Sequence, residues 1–239
     1  MKAIYKREIR AHFNTMTGYI FTAIVMLFIS LNFKTINLTG GFPYFAYALS
    51  SALLVFVIGV PILTMRSMAE ERRWKTDQLL LTYPVSVAGI VLGKFFAMMT
   101  VFAIPLAFSC LCPVVISLGY SSSFLIDYAS ILAFLCLGCL FVSIGMFISS
   151  LTESQVIAAV GSMGALLALC MWPQLIAMLP TAAGTGPLTK WLQVFSVTSV
   201  LSNFSSYYLF DVRGLLFLLS GAALFLLLTV QSVRKRRWN

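Results

Sequence analysis

Apolar residues in this chain come in long unbroken runs separated by short polar stretches, a pattern that neither an amphipathic surface helix nor a half-buried strand produces. Six runs reach the ~20 residues that a helix needs to cross a hydrocarbon core of about 30 Å. They cover approximately 18–35, 44–65, 88–117, 124–150, 154–179 and 212–233. Pro61, Pro105, Pro113 and Pro173 fall inside them and predict kinks, with freed carbonyls satisfied by neighbouring helices. The expected fold is all-α and membrane-integral, with six transmembrane helices in a single domain over 1–239.

Three stretches depart from the runs. Residues 2–17 have amphipathic helical spacing, with Tyr5, Ile9, Phe13 and Met16 on one side and Lys6, Arg7, Arg10 and Asn14 on the other. An interfacial helix over 1–17 is expected, lying in the headgroup plane; the alternative is a plain extension of the first span. No small-residue cleavage site follows its apolar run, so this segment is expected to be retained. The turn Ser150–Gln155 is short enough to make the fourth and fifth spans a hairpin. Ser150 with Glu153, or Thr152 with Gln155, can form a capping box there. In the fifth span Ala158, Gly161, Ser162, Ala165 and Ala168 form a small-residue stripe suited to close helix packing, within one chain or between subunits. The segment 180–211 is too polar to span and rich in aromatics (Trp191, Phe195, Phe204, Tyr207, Tyr208). It reads as two short extracytoplasmic or re-entrant helices broken near Ser196–Ser199.

Composition agrees with the pattern: 60% of the 239 residues are hydrophobic and 10% charged. The net charge of +9 would suggest nucleic acid in a soluble protein, but here the bases lie at span ends, and no nucleic-acid partner is expected. Lys2, Lys6, Arg7, Arg10, Arg66, Arg72, Arg73, Lys75, Lys94 and Arg234–Arg237 fall on one side of the predicted topology. Lys34, Lys190 and Arg213 are left for the other. The positive-inside rule then places both termini and the 66–94 loop in the cytoplasm, in a multi-pass protein of the cytoplasmic (inner) membrane surrounded by lipid.

Several chemistries are disfavoured. The chain has one histidine, His12, and its seven acids lie at span ends or in loops, so neither a catalytic residue set nor a proton relay at membrane depth can be assembled. Gly89-Ile-Val-Leu-Gly93-Lys94 imitates a phosphate loop. It is one residue short between the glycines and has Phe95 where Ser or Thr is needed. Cys110, Cys112, Cys136, Cys139 and Cys170 all sit in apolar runs, which suits packing better than a disulfide framework or a metal site. No metal or other cofactor is expected in the chain.

The one long charged stretch inside the chain, EERRWKTDQLLLTYPVSVAGIVLGK (70–94), lies between the second and third runs. Residues 67–82 read as a short cytoplasmic helix in which Trp74 and Leu79–Leu81 are apolar anchors among charges of both signs, a composition that suits docking into a protein groove. The string Glu71-Arg72-x-x-x-Thr76-Asp77-x-Leu79-Leu80-x-x-x-Pro84-Val85, leading to Gly93-Lys94, resembles the permease subunit of type-2 ABC exporters. The resemblance covers essentially the whole chain and is nearer to the gliding-motility and nitrous-oxide-reductase-maturation branch; Lys75 stands where that family usually has glycine.

The resemblance implies a non-catalytic transport subunit. Residues 67–82 would be its coupling helix, seated in a separate cytoplasmic ABC ATPase, two copies of which bind the ATP and Mg. The coupling residues implied are Glu70, Glu71, Arg72, Arg73, Trp74, Thr76, Asp77, Leu79, Leu80 and Pro84. It also implies a second permease, identical or homologous, meeting this one through the second and fifth spans. A substrate pathway between the two is expected at Tyr44, Tyr47, Ser51 and Phe56 of the second span and Met163, Met171 and Gln174 of the fifth. An amphipathic, lipid-linked or peptide-like substrate would move outward. The alternatives are a membrane subunit that passes ATPase work to an extracytoplasmic accessory protein without transport, and an exporter of metal or sulfur species.

Overall fold

A computed structural model describes residues 2–74, 86–119, 124–178, 196–205 and 211–237. Among these, every regular element is a helix: α1 (Lys2–Asn14), α2 (Thr17–Asn32), α3 (Phe45–Ser51), α4 (Leu53–Thr64), α5 (Arg66–Arg73), α6 (Val87–Ser109), α7 (Cys112–Ser117), α8 (Phe124–Leu151), α9 (Gln155–Cys170), α10 (Trp172–Ala177), α11 (Val197–Ser205) and α12 (Val212–Arg237). Among the described residues, five stretches are long and apolar enough to cross a membrane: Thr17–Thr39, Leu53–Arg73, Val87–Ser117, Phe124–Leu151 and Val212–Lys235. The fifth run is shorter, since α9 has 16 residues and breaks at Met171 before α10.

The breaks revise the expected kinks. Pro61 and Pro105 do lie inside helices, α4 and α6. Pro113 and Pro173 instead sit in the first turn of α7 and α10, where a missing N–H leaves no helical bond unmade. The first span ends in a wider π-type turn, Phe33–Thr39. The second is divided at Ala52 into α3 and α4, and α5 continues almost directly from α4. The expected coupling helix 67–82 therefore starts within α5, on the prolongation of the second span; its residues 75–82 lie outside the described residues, as does most of 180–211.

The long helix α8 is the hub, packing on α12, α9, α6, α4, α11, α5 and α3. Two glycines allow this closeness: a methyl at Gly138 would strike the ring of Phe102, and one at Gly145 the hydroxyl of Thr64. Phe56 of α4 fills the centre, with ring centroids 5.3 Å from Phe102 and 5.6 Å from Phe134. Burying such rings contributes on the order of 2 kcal/mol each in water-referenced terms; in lipid, tight packing replaces that driving force.

Two local expectations change. The turn before α9 is not a capping box: Ser154 occupies the cap position without a side-chain bond, while Ser150 and Thr152 donate back to the Phe147 and Ile148 carbonyls of α8. The apolar side of α1 is turned in part onto the chain itself. Tyr5, Glu8, Ile9, His12 and Phe13 turn inward, and α1 packs on α6 and α2. Met16 is exposed because α1 ends at Asn14 and Met16 takes a left-handed conformation (φ 59°) at the corner into α2. The small-residue stripe divides: Ala158 and Ser162 are buried, whereas Gly161 and Ala168 face outward.

Candidate functional site

The charged stretch leads to a junction where α1, α5, α6 and the α8–α9 turn meet. Lys94 emerges from the second turn of α6 into an apolar setting and is only 2% exposed. A buried ammonium is costly unless it is paired and hydrogen-bonded. Its Nζ lies 2.7 Å from Glu71 Oε2 and 3.9 Å from Glu8 Oε1, and it donates to the carbonyl of Ser67. Arg7 closes the set, with Nη2 2.7 Å from Glu8 Oε1 and 2.8 Å from Glu71 Oε1. Two cations and two carboxylates thus neutralise one another across three elements far apart in sequence, and Glu71 is held at both oxygens.

His12 lies beside this cluster and is buried. Burial pushes its imidazole below the ordinary histidine value, Lys94 and Arg66 add to that, and Glu8 opposes it. The ring is neutral at neutral pH. Arg7 is also partly desolvated, but Glu8 and Glu71 outweigh that and hold its pKa above the ordinary value.

A second set of bonds ties α5 to α8. Ser149 Oγ accepts from the backbone N–H groups of Met68 (3.2 Å) and Ala69 (3.1 Å) and donates to the Met65 carbonyl (3.2 Å). Arg72 reaches the end of α8, with Nη1 donating to the Leu151 carbonyl at 2.7 Å and Nη2 2.9 Å from Glu153. A cation at a helix C-terminus satisfies carbonyls the helix itself leaves free. One side of α5 is therefore fastened to its own chain. Its last turn ends at Arg73 and Trp74, both exposed, the indole 70% so.

Among the expected coupling residues, then, Glu71 and Arg72 are held inside the chain, Glu70 is half-buried, and Arg73 and Trp74 face outward. Thr76, Asp77, Leu79, Leu80 and Pro84 lie outside the described residues. The expected pathway residues are spread over several elements. Tyr44 is half-buried; Tyr47 stacks on Phe42, with centroids 5.5 Å apart; and Ser51 donates to Asn32 Oδ1 at 2.9 Å. Met163, Met171 and Gln174 are exposed. Phe56 is a core ring in this chain and does not open on a surface path.

Arg7, Glu8 and His12 carry no site signature in the sequence, and Lys94 stands out only as a base and as the end of the family string. Two weaker signals point to them. Glu8 and His12 share the side of α1 that carries Tyr5 and Ile9, and a lysine inside an apolar run requires a partner. Among the described residues, no group of three or more His, Cys, Asp or Glu is placed to hold a metal.

Apolar helices of membrane-crossing length, gathered on one central helix and cross-linked at one end by charge, define a multi-pass membrane protein. The chain belongs to the ABC-2 family transporter protein family, whose family model matches residues 3–233. That family is made of membrane transport components, and membership implies association with a cytoplasmic ABC ATPase. No curated protein matches the chain.

Proposed function

We propose that the chain is the permease subunit of an ATP-driven exporter and that α5 with the segment after it is the coupling element. The carrying observation is the two-sidedness of α5: Glu71, Arg72 and the backbone at Met68–Ala69 are fastened to α1, α6 and α8, while Arg73 and Trp74 face away. An ATPase gripping the outward side would pull on three other elements at once.

In this reading α9 and α10 together serve as a sixth span, both termini are cytoplasmic as the basic residues favour, and two permeases work with two ATPases that carry the ATP and Mg. The cargo is amphipathic, lipid-linked or peptide-like, and the nearest branch is that of the gliding-motility and nitrous-oxide-reductase-maturation permeases. The test is co-purification of the ATPase and its stimulated ATP hydrolysis. Losing a central interface anchor costs about 2 kcal/mol or more, so Trp74→Ala and Leu80→Asp are expected to release or uncouple the ATPase while the permease still inserts. Unchanged binding and stimulation in both variants would remove the coupling assignment.

A further inference from the structure

Next to the junction, α1, α6 and α8 wall a trough of about 660 Å³ that is open along one side. Phe96, Ala103, Leu135 and Cys139 make its wall apolar. The polar groups on that wall include Tyr5 and Thr100, whose hydroxyls bond each other at 2.9 Å and so ask nothing of an occupant. Along α6 the lining runs from Gly93 to Ala103. At about 1.5 Å per residue this is roughly 15 Å, half of a hydrocarbon core of about 30 Å. That is the reach of one acyl chain in one leaflet.

The charge on the wall is a cation. Lys2 lines the trough and is exposed, and Lys6 follows it one helical turn later, also exposed. Lysines close to a bilayer surface attract anionic headgroups, and their long stems let the ammonium move to phosphate depth. We infer that this trough is a binding site for one anionic glycerophospholipid, with an acyl chain along α6 and the phosphate on Lys2. The inference rests on the membrane reading of the fold but not on α5 being the coupling element. The bound lipid would lie between α1, α6 and the middle of α8.

The test is native mass spectrometry of the full chain purified with its ATPase, titrated with phosphatidylglycerol or phosphatidylcholine. The chain is expected to retain one phosphatidylglycerol with about a five-fold preference. Lys2→Gln should abolish that preference and leave phosphatidylcholine retention unchanged. Ala103→Trp, which fills the trough, should lose the retained lipid, whereas Leu27→Trp on the exposed side of α2 should not. Lys2 is exposed, so its replacement decides the matter even if Ala103→Trp fails to assemble. Equal retention of the two lipids by the wild type, an unchanged preference in Lys2→Gln, or a change of subunit stoichiometry in place of lipid content in Ala103→Trp would overturn the proposal. Loss of the ATPase from Trp74→Ala with lipid retention intact would separate this site from the coupling element.

Discussion

The two ends of the helix bundle are held by different mixtures of bonds. At the end where α5 leaves the bundle, charged side chains meet charged side chains: Arg7, Glu8, Glu71 and Lys94, and then Arg72 with Glu153. At the opposite end the bonds run mainly from side chain to backbone. Asp127 Oδ1 accepts from the N–H of Phe45 at 2.8 Å and starts α3, and Asn37 Nδ2 donates to the Phe42 and Tyr44 carbonyls. Asp211 accepts from the N–H of Gly214 at 3.1 Å and from Asn203 at 2.9 Å at the start of α12. Those bonds, the Gly214 amide first, hold its carboxyl below the ordinary aspartate value. A backbone cap fixes one helix start in one geometry. A set of long charged side chains shares partners, as Glu71 is shared between Arg7 and Lys94. Under the proposed function, the pull of the ATPase is received at the end held by ion pairs.

That contrast can be broken, and the largest effect is expected at Lys94. Lys94→Met leaves Glu71 and Glu8 short of a buried partner, and breaking a buried ion pair costs about 3 kcal/mol or more. The thermal midpoint in lipid nanodiscs should fall, and the exchange of charges in Glu71→Lys with Lys94→Glu should recover part of it. No recovery in the double variant would show that the pair does not act as a unit.

At the opposite end, Asp127→Ala removes a cap and is expected to cost about 1 kcal/mol. Hydrogen exchange should speed up over 45–49, while ATPase stimulation stays at the wild-type level. A loss of stimulation there would mean that the two ends are coupled more tightly than their bonding suggests.

His12 sharpens the comparison through pH. Its folded-state pKa is depressed, chiefly by burial, so its contribution is complete above the unfolded value of about 6.5. As pH falls below that, the unfolded chain takes up the proton first and stability declines until the folded pKa is passed. Thermal midpoints measured from pH 7.5 down to pH 5 should fall more steeply for the wild type than for His12→Gln.

The smallest effects are expected on the outer side of the junction. Arg72→Ala loses a half-exposed pair and a carbonyl contact, worth about 1 kcal/mol or less. Arg73→Ala, at an exposed position, should change stability by about 0.5 kcal/mol or less. Chemical unfolding of the two variants side by side would show whether α5 really has a fastened and a free side.

The crossing helices were legible because lipid demands uninterrupted apolar runs: α8 was expected over 124–150 and covers Phe124–Leu151. The breaks at Leu111 and Met171 were signalled by Pro113 and Pro173, though as kinks and not as ends, whereas nothing in the sequence marks the break at Ala52. The four-charge cluster was only half visible. Glu71 and Lys94 stood in one recognisable string, but Arg7 and Glu8 join them through space across more than sixty positions, as the Arg7–Glu71 separation of 64 shows. The amphipathic spacing of α1 was legible for Tyr5, Ile9 and Phe13, which turn inward, but not for Met16, which lies beyond the end of the helix and is exposed.

The central position of α8 has a consequence for how the protein is made. It is the most buried of the five candidate crossings, and α2, near the N-terminus, is the least. Helices α1 to α6 leave the ribosome before their main packing surface exists, so Phe56 and Phe102 wait for Phe134 and the glycine notches beside it. At roughly 5–20 residues per second, the interval from Ser109 to Leu151 lasts on the order of a few seconds. During it the growing chain holds an open, half-packed bundle in the bilayer. Chains that stop short of Leu151 would be left in that state, recognisable to membrane proteases as unfinished.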